Sequence, residues 1–165
     1  MSLYVEWINL IKEKADHTWL SDRQRAIYDR ILNQWHIAPF VSIYGPPGCG
    51  KSFIARLLVK EHGYVYTTDL DDLATHAEQV IVDDARYSRM MRPKARELAI
   101  TRVLLFSSRP ASDPMPSAEL RLDAHDIQQI MHTLYEQCGF EFTVEPHGTD
   151  VGEILRAEAI ARGGS

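Results

Sequence analysis

The chain has 165 residues, 45% hydrophobic and 25% charged, with a net charge of −5. That length supports one ordinary globular domain with a real core and leaves no room for a second full one. The acidic balance excludes a whole-molecule attraction to polyanions, and no apolar run approaches the roughly 20 residues that span a bilayer.

Two cysteines, Cys49 and Cys138, make no disulfide framework, and the N-terminus lacks a basic region leading into an apolar one. A soluble, cytoplasmic protein is expected. Leu3, Trp7, Leu10 and Ile11 recur at helical spacing and predict an amphipathic first helix. Ser21-Asp22-Arg23-Gln24 reads as a capping box that opens a second helix, with Ile27, Ile31 and Trp35 on one face and Pro39 ending the unit. Phe40-Val41-Ser42-Ile43-Tyr44 is short, apolar and rich in β-branched and aromatic residues, as a buried strand should be, and Phe53 to Leu58 fits a helix.

Between that strand and that helix stands Gly45-Pro46-Pro47-Gly48-Cys49-Gly50-Lys51-Ser52, a complete phosphate-binding loop. Gly45, Gly48 and Gly50 are expected to take positive φ and wrap amide N–H groups around the β-phosphate, assisted by the positive end of the following helix. Lys51 reaches the β- and γ-phosphates as a point charge, and the Ser52 hydroxyl completes the shell of a Mg²⁺ ion. Gly45 through Phe53 are therefore the expected nucleotide-binding residues. The bland alternative is a glycine-rich turn with an incidental lysine, and the flanking strand and helix weigh against it.

Gly63 sits where a helix C-cap belongs, Tyr64 to Thr67 reads as a strand, and Asp69 to Gln79 as a short helical crossover. Val80-Ile81-Val82-Asp83-Asp84 predicts a buried parallel strand that delivers two carboxylates at its C-terminal end. Asp83 is expected to accept hydrogen bonds from the Mg²⁺ water shell, and Asp84 to orient or deprotonate the water that attacks the γ-phosphate. Acids that end a β-run also occur as helix caps. Arg86, Arg89, Arg92, Lys94 and Arg96 form a basic cluster that is either a local DNA contact or a solvated face.

Pro93 to Ile100 suggests a helix, and Arg102 to Phe106 a further buried strand running into Ser107-Ser108-Arg109-Pro110. Ser107 and Ser108 either touch the γ-phosphate or its attacking water, or simply end the strand in a turn. Ala111 to Ser117 is expected to be an exposed loop, Glu119 to Leu122 a short last strand, and Asp123 the cap of a helix closed by Gly139. Phe140 to Val144 alternates like a strand, with a packed loop as the other reading, and Thr149 is expected to cap a final helix. The seven histidines are scattered without ligand spacing, so no structural zinc is expected.

The expected organisation is a helical unit over 1–38, a phosphate-loop core over 39–122, a small helical appendage over 123–162 and a tail at 163–165. The fold class that follows is α/β, a three-layer P-loop NTPase fold with a parallel central sheet of about five strands.

The order of these parts, from Ser21-Asp22-Arg23-Gln24 through the phosphate loop and Val80 to Asp84 to Val103 to Pro110, resembles the AAA+ ATPases. The Asp83-Asp84 pair and the Leu104 to Pro110 segment are most similar to the replication initiator and helicase-loader branch. That resemblance implies an ATP- and Mg²⁺-dependent protomer that assembles on itself or on a protein partner in DNA processing. It also implies that an arginine completes a neighbouring subunit's site, with Arg109 the first candidate and Arg121 the second. Lys51, Asp84, Ser108 and Arg109 are the catalytic candidates. The chain departs from that pattern in the short stretch from Pro110 to Glu119, in a lid of about two helices and in the lack of a helix-turn-helix module. A superfamily 3-type helicase motor, a nucleotide-dependent adaptor and a small-molecule kinase remain open alternatives.

Overall fold

The computed structural model describes residues 1–163; Gly164 and Ser165, the end of the expected tail, lie outside the described residues. Five strands form one parallel sheet: β1 Phe40–Tyr44, β2 Val65–Thr67, β3 Gln79–Val82, β4 Arg102–Ser107 and β5 Ser117–Glu119, in the spatial order β2-β3-β4-β1-β5. The registers Phe40↔Val103 and Val80↔Val103 align the three central strands, so that their carboxyl ends emerge along one edge. Ligands of open parallel sheets bind beyond that edge.

The alternation of side chains along the strands divides the core. Val41, Ile43, Ile81, Leu104 and Phe106 pack with Ile54, Leu57 and Leu58 of helix α3 (Lys51–His62). Phe40, Val80, Val82, Val103 and Leu105 face the other way, toward Ala95 of α4 (Met91–Glu97). Helices on both faces of a parallel sheet give the α/β architecture of P-loop NTPases, as the apolar runs predict. A third cluster joins α1 (Leu3–Lys14) to α5 (Ala124–Cys138) and α6 (Val151–Ala161), with Trp7 stacked on Phe140 at 4.5 Å between ring centroids.

Helix ends follow local chemistry. Gly63 and Gly139 close α3 and α5 in the left-handed conformation, at φ 69° and 70°. Ser21 and Gln24 form the capping box of α2 (Asp22–Asp29). The expected single helix then changes character, because Arg30–Gln34 is a π-turn in which Trp35 N donates to Arg30 O at 2.9 Å. Buried Arg102, at the start of β4, spans the gap, donating to the carbonyls of Ile31 and Trp35 and to the Tyr64 hydroxyl.

Several boundaries differ from the sequence expectation. The crossover from Asp69 to Gln79 holds only a 3-10 turn at Leu70–Asp72, capped by Asp69, and Gln79 already belongs to β3. Helix α4 starts two residues before Pro93 because proline is tolerated in a first turn, where its missing N–H costs no internal hydrogen bond. The last strand is Ser117–Glu119 rather than Glu119 to Leu122: Leu120 N still donates to Tyr44 O at 2.7 Å, but Leu120 and Leu122 serve the core beyond the strand. The cap of α6 is Asp150, whose side chain accepts from Glu153 N at 3.1 Å, not Thr149.

The segment from Phe140 to Val144 is a packed loop, and a buried carboxylate explains why. Glu158, fully buried on α6, accepts from Thr143 N, Thr143 Oγ1 and Val144 N at 2.8 Å each, and from Arg162 Nε at 2.8 Å. Burial raises its pKa, but the bonds from Arg162, Val144 and Thr143 outweigh that and hold the carboxyl at about 2. A depressed folded-state pKa stabilises the fold above the unfolded value of 4.5. Protonation should thus remove on the order of 3 kcal/mol as pH falls from about 4.5 toward 2. Urea unfolding across that range checks this, and Glu158→Gln should flatten the acid-side slope.

Candidate functional site

A cleft of about 490 Å³ opens at the carboxyl edge of the sheet. Its polar end is built by the phosphate loop, which hands over from β1 to α3. The backbone is in the left-handed region at Gly48 (φ 73°) and Gly50 (φ 93°), where a side chain would be strained. Gly45 does not take positive φ; it must be glycine because a Cβ there would collide with the Leu120 carbonyl. Gly45 N donates to Ser107 O at 3.2 Å, which ties the loop to the end of β4.

Lys51 folds over the loop, its Nζ donating to Gly45 O at 2.7 Å and Pro46 O at 2.9 Å. Pro47, Gly48, Gly50, Ser52 and Phe53 line the cleft with it. Cys49 does not: it is buried beneath the loop, with Sγ 3.6 Å from Lys51 Nζ. Gly45 and Pro46 contribute their carbonyls from behind rather than lining the cleft.

The acidic strand meets the loop directly. Ser52 Oγ donates to Asp83 Oδ2 at 2.9 Å, Tyr66 from β2 donates to the same oxygen at 2.8 Å, and Asp84 N donates to Asp83 Oδ1 at 2.9 Å. Asp83 is buried and oriented through both oxygens, while Asp84 is exposed on the cleft wall. Burial first, and then the Asp83 carboxylate, push the Tyr66 hydroxyl up to about 12, so it stays protonated and remains a donor. Asp84 has φ 54°, a left-handed conformation that aspartate accepts more readily than most residues. Held there, its carboxylate leaves the line of the strand.

Ser107 and Ser108 line the cleft beside these acids. Ser107 Oγ is used locally, donating to Arg109 O at 2.6 Å. Arg109 is not on the cleft wall; it faces a second hollow on the other side of the end of β4. Arg121 is exposed and paired with Glu119 at 2.9 Å. In the basic cluster, Arg89 approaches Asp113 at 3.7 Å, Lys94 pairs with Asp71 at 2.8 Å, and Arg92 lies over the Phe40 ring at 4.7 Å.

Several lining residues carried no motif signal. Ile8 and Ile11 of α1, Trp19, Ile130 and Leu134 of α5, and Val151 and Leu155 of α6 make the far end of the cleft apolar. An apolar sleeve leading to a cradle of amides, a cation and carboxylates is the polarity profile of a nucleotide, with the base at one end and phosphates at the other. Gln24 also lines the cleft and ties down the loop: its Oε1 accepts from Ser21 N at 3.1 Å and its Nε2 donates to Cys49 O at 3.2 Å. A Cβ on Gly50 would strike that amide. Arg56, one turn along α3 from Ser52, is the second cation of the cleft.

The N-terminal end of α6 also docks on the loop. Val151 N donates to Gly48 O at 3.2 Å, and a Cβ on Gly48 would collide with the Asp150 carboxylate. A fixed negative charge against the loop opposes an incoming polyphosphate. Asparagine caps a helix as well as aspartate does, so Asp150→Asn removes that charge and keeps the cap. It should tighten Mg-ATP binding by roughly three- to tenfold, and leave adenosine binding unchanged, in paired calorimetric titrations.

Oxygen donors such as Ser52 and Asp83 suit a hard cation that keeps most of its waters and shares phosphate oxygens. Among the described residues, no three His, Cys, Asp or Glu side chains converge on a metal site, and no helix is long and apolar enough to cross a membrane.

No curated protein matches the chain. The model of the family described as "ATPase family associated with various cellular activities (AAA)" matches residues 41–107, the span that runs from β1 and the phosphate loop through the acidic strand to the end of β4. The match and the architecture around it together support a nucleotide-binding ATPase.

Proposed function

We propose that this protein hydrolyses Mg-ATP and works, through nucleotide-dependent assembly with itself or a protein partner, as an accessory factor in DNA replication or mobile-element DNA processing. The observation that carries the ATPase reading is the Ser52 Oγ to Asp83 Oδ2 hydrogen bond of 2.9 Å, which joins phosphate loop and acidic strand at one point. In this reading Ser52 and Asp83 hold Mg²⁺, partly through water, and the ion neutralises phosphate charge.

The remaining roles fall to the chain's own groups. The loop amides and Lys51 bind and orient the polyphosphate. Asp84, exposed on the cleft wall, accepts a hydrogen bond from the attacking water and aligns it. The Ser108 hydroxyl contributes a further hydrogen bond at the end of β4, and Gln24 keeps the loop in shape through Cys49 O. The DNA-processing role rests on the resemblance of Asp83-Asp84 and the Leu104 to Pro110 segment to the initiator and helicase-loader branch.

A phosphate-release assay, run beside light scattering with and without ATP and DNA, tests the whole reading. Free phosphate together with an ATP-dependent rise in mass is the expected result. Phosphate transferred to a metabolite would replace this reading with a kinase. Background hydrolysis in every mixture, including concentrated protein, would remove the ATPase assignment.

A further inference from the structure

Residues 108–116 connect β4 to β5 without a helix, and because β1 lies between those strands the connection crosses over it. Ala111 N donates to Ser42 Oγ in the middle of β1 at 3.4 Å, which pins the crossing loop to the sheet. Where a crossover helix would fill the space, the loop and the turn after β3 enclose a second hollow of about 560 Å³. It shares only Ser107 and Ser108 with the nucleotide cleft.

The chemistry of this hollow differs from that of its surroundings. Arg86 and Arg109 line it and are exposed, and neither guanidinium has a hydrogen-bond or carboxylate partner among the described residues. Ser108 and Ser112 add hydroxyls that are likewise free of partners among those residues. No carboxylate lines the hollow. Of the acids nearby, Asp113 is occupied by the Tyr87 hydroxyl at 2.7 Å and by Arg89, and Asp83 and Asp84 line the adjoining nucleotide cleft rather than this hollow. On a chain with a net charge of −5, two unpaired guanidiniums line a concavity whose own wall carries no carboxylate. Planar forks beside hydroxyl donors match tetrahedral oxyanions.

We infer that the hollow between the turn after β3 and the β4–β5 loop is a second anion site, taking a phosphate-bearing ligand on Arg86 and Arg109 with Ser108 and Ser112. The ligand's source is either a nucleic-acid strand or a small phosphorylated molecule. The site uses none of the phosphate-loop residues and shares Ser108 with the nucleotide cleft, so its two arginines are what distinguish it.

The test uses the full chain in a Lys51→Ala background, which weakens anion binding at the phosphate loop. Inorganic pyrophosphate is titrated while amide NMR shifts are followed, and a labelled short oligothymidylate is titrated by fluorescence anisotropy. Pyrophosphate should shift the amides of 85–87 and 107–112, with affinity falling about tenfold in Arg86→Gln and again in Arg109→Gln. Oligothymidylate that binds, weakens in the same variants and displaces pyrophosphate identifies a strand; pyrophosphate binding alone identifies a small ligand. Shifts confined to 45–52, or an affinity unmoved by both substitutions, would overturn the site. Mapping on unsubstituted arginines keeps the result decisive should a variant fold poorly. Nucleotide binding by the parent chain is scored separately, so failure of one assignment is not mistaken for failure of the other.

Discussion

Lys51→Ala should lower Mg-ATP affinity by about two orders of magnitude, because it removes the cation that meets the polyphosphate at the loop. A charge-assisted hydrogen bond contributes about 1.5–3 kcal/mol, and each 1.4 kcal/mol is a factor of ten, so losing one or two such bonds gives an effect of this size. Lys51 Nζ already rests on two loop carbonyls, at 2.7 and 2.9 Å, so binding exchanges neutral acceptors for anionic ones. Fold stability should fall as well, because two hydrogen bonds from an ionised donor, to Gly45 O and Pro46 O, are lost with the side chain. Isothermal titration with Mg-ATP, with adenosine as the phosphate-free comparison, separates the loop's contribution from that of the apolar sleeve. Undiminished Mg-ATP affinity in the variant would show that the loop does not carry nucleotide binding.

Asp84→Asn should leave Mg-ATP binding within a small factor of the parent and slow turnover by roughly 10²–10³. Asparagine has the same shape and tolerates the left-handed backbone that the residue adopts at φ 54°, so the turn survives. The hydrogen bond from this residue's backbone N–H to Asp83 Oδ1 is also preserved, and with it the orientation of Asp83. What is lost is a carboxylate able to accept a proton. Single-turnover phosphate release beside equilibrium binding checks both halves, and unchanged turnover would reassign the water-activating group.

The parts of this architecture legible in the sequence are those encoded locally. Four short apolar runs, the glycine caps at Gly63 and Gly139, and the spelling of Gly45 to Ser52 each depend on neighbours along the chain. The approach of Asp83 to Ser52 could be anticipated because both sit at the carboxyl edge of one parallel sheet. What was not legible depends on pairs distant in sequence. Gln24 reads as an ordinary capping-box residue, yet its amide also holds Cys49 O. Tyr66 looks like an alternating strand residue, and its tie to Asp83 appears only when β2 pairs with β3. The basic cluster is compact in sequence, but Asp71 and Asp113 reach it from other segments and pair with Lys94 and Arg89. The last strand is displaced by two residues because Leu120 and Leu122 carry a β-like apolar signal that the core uses beyond the ladder.

Arg102 has a consequence for how the molecule comes apart. One guanidinium grips two carbonyls near the end of the second helical segment while its backbone is the first rung of β4. Detaching residues 22–35 would leave that charge with the Tyr64 hydroxyl as its one remaining acceptor among the described residues, so this segment should not fray ahead of the sheet. Its amides should exchange with solvent only in openings that also release the central strands, which makes the two a single cooperative unit.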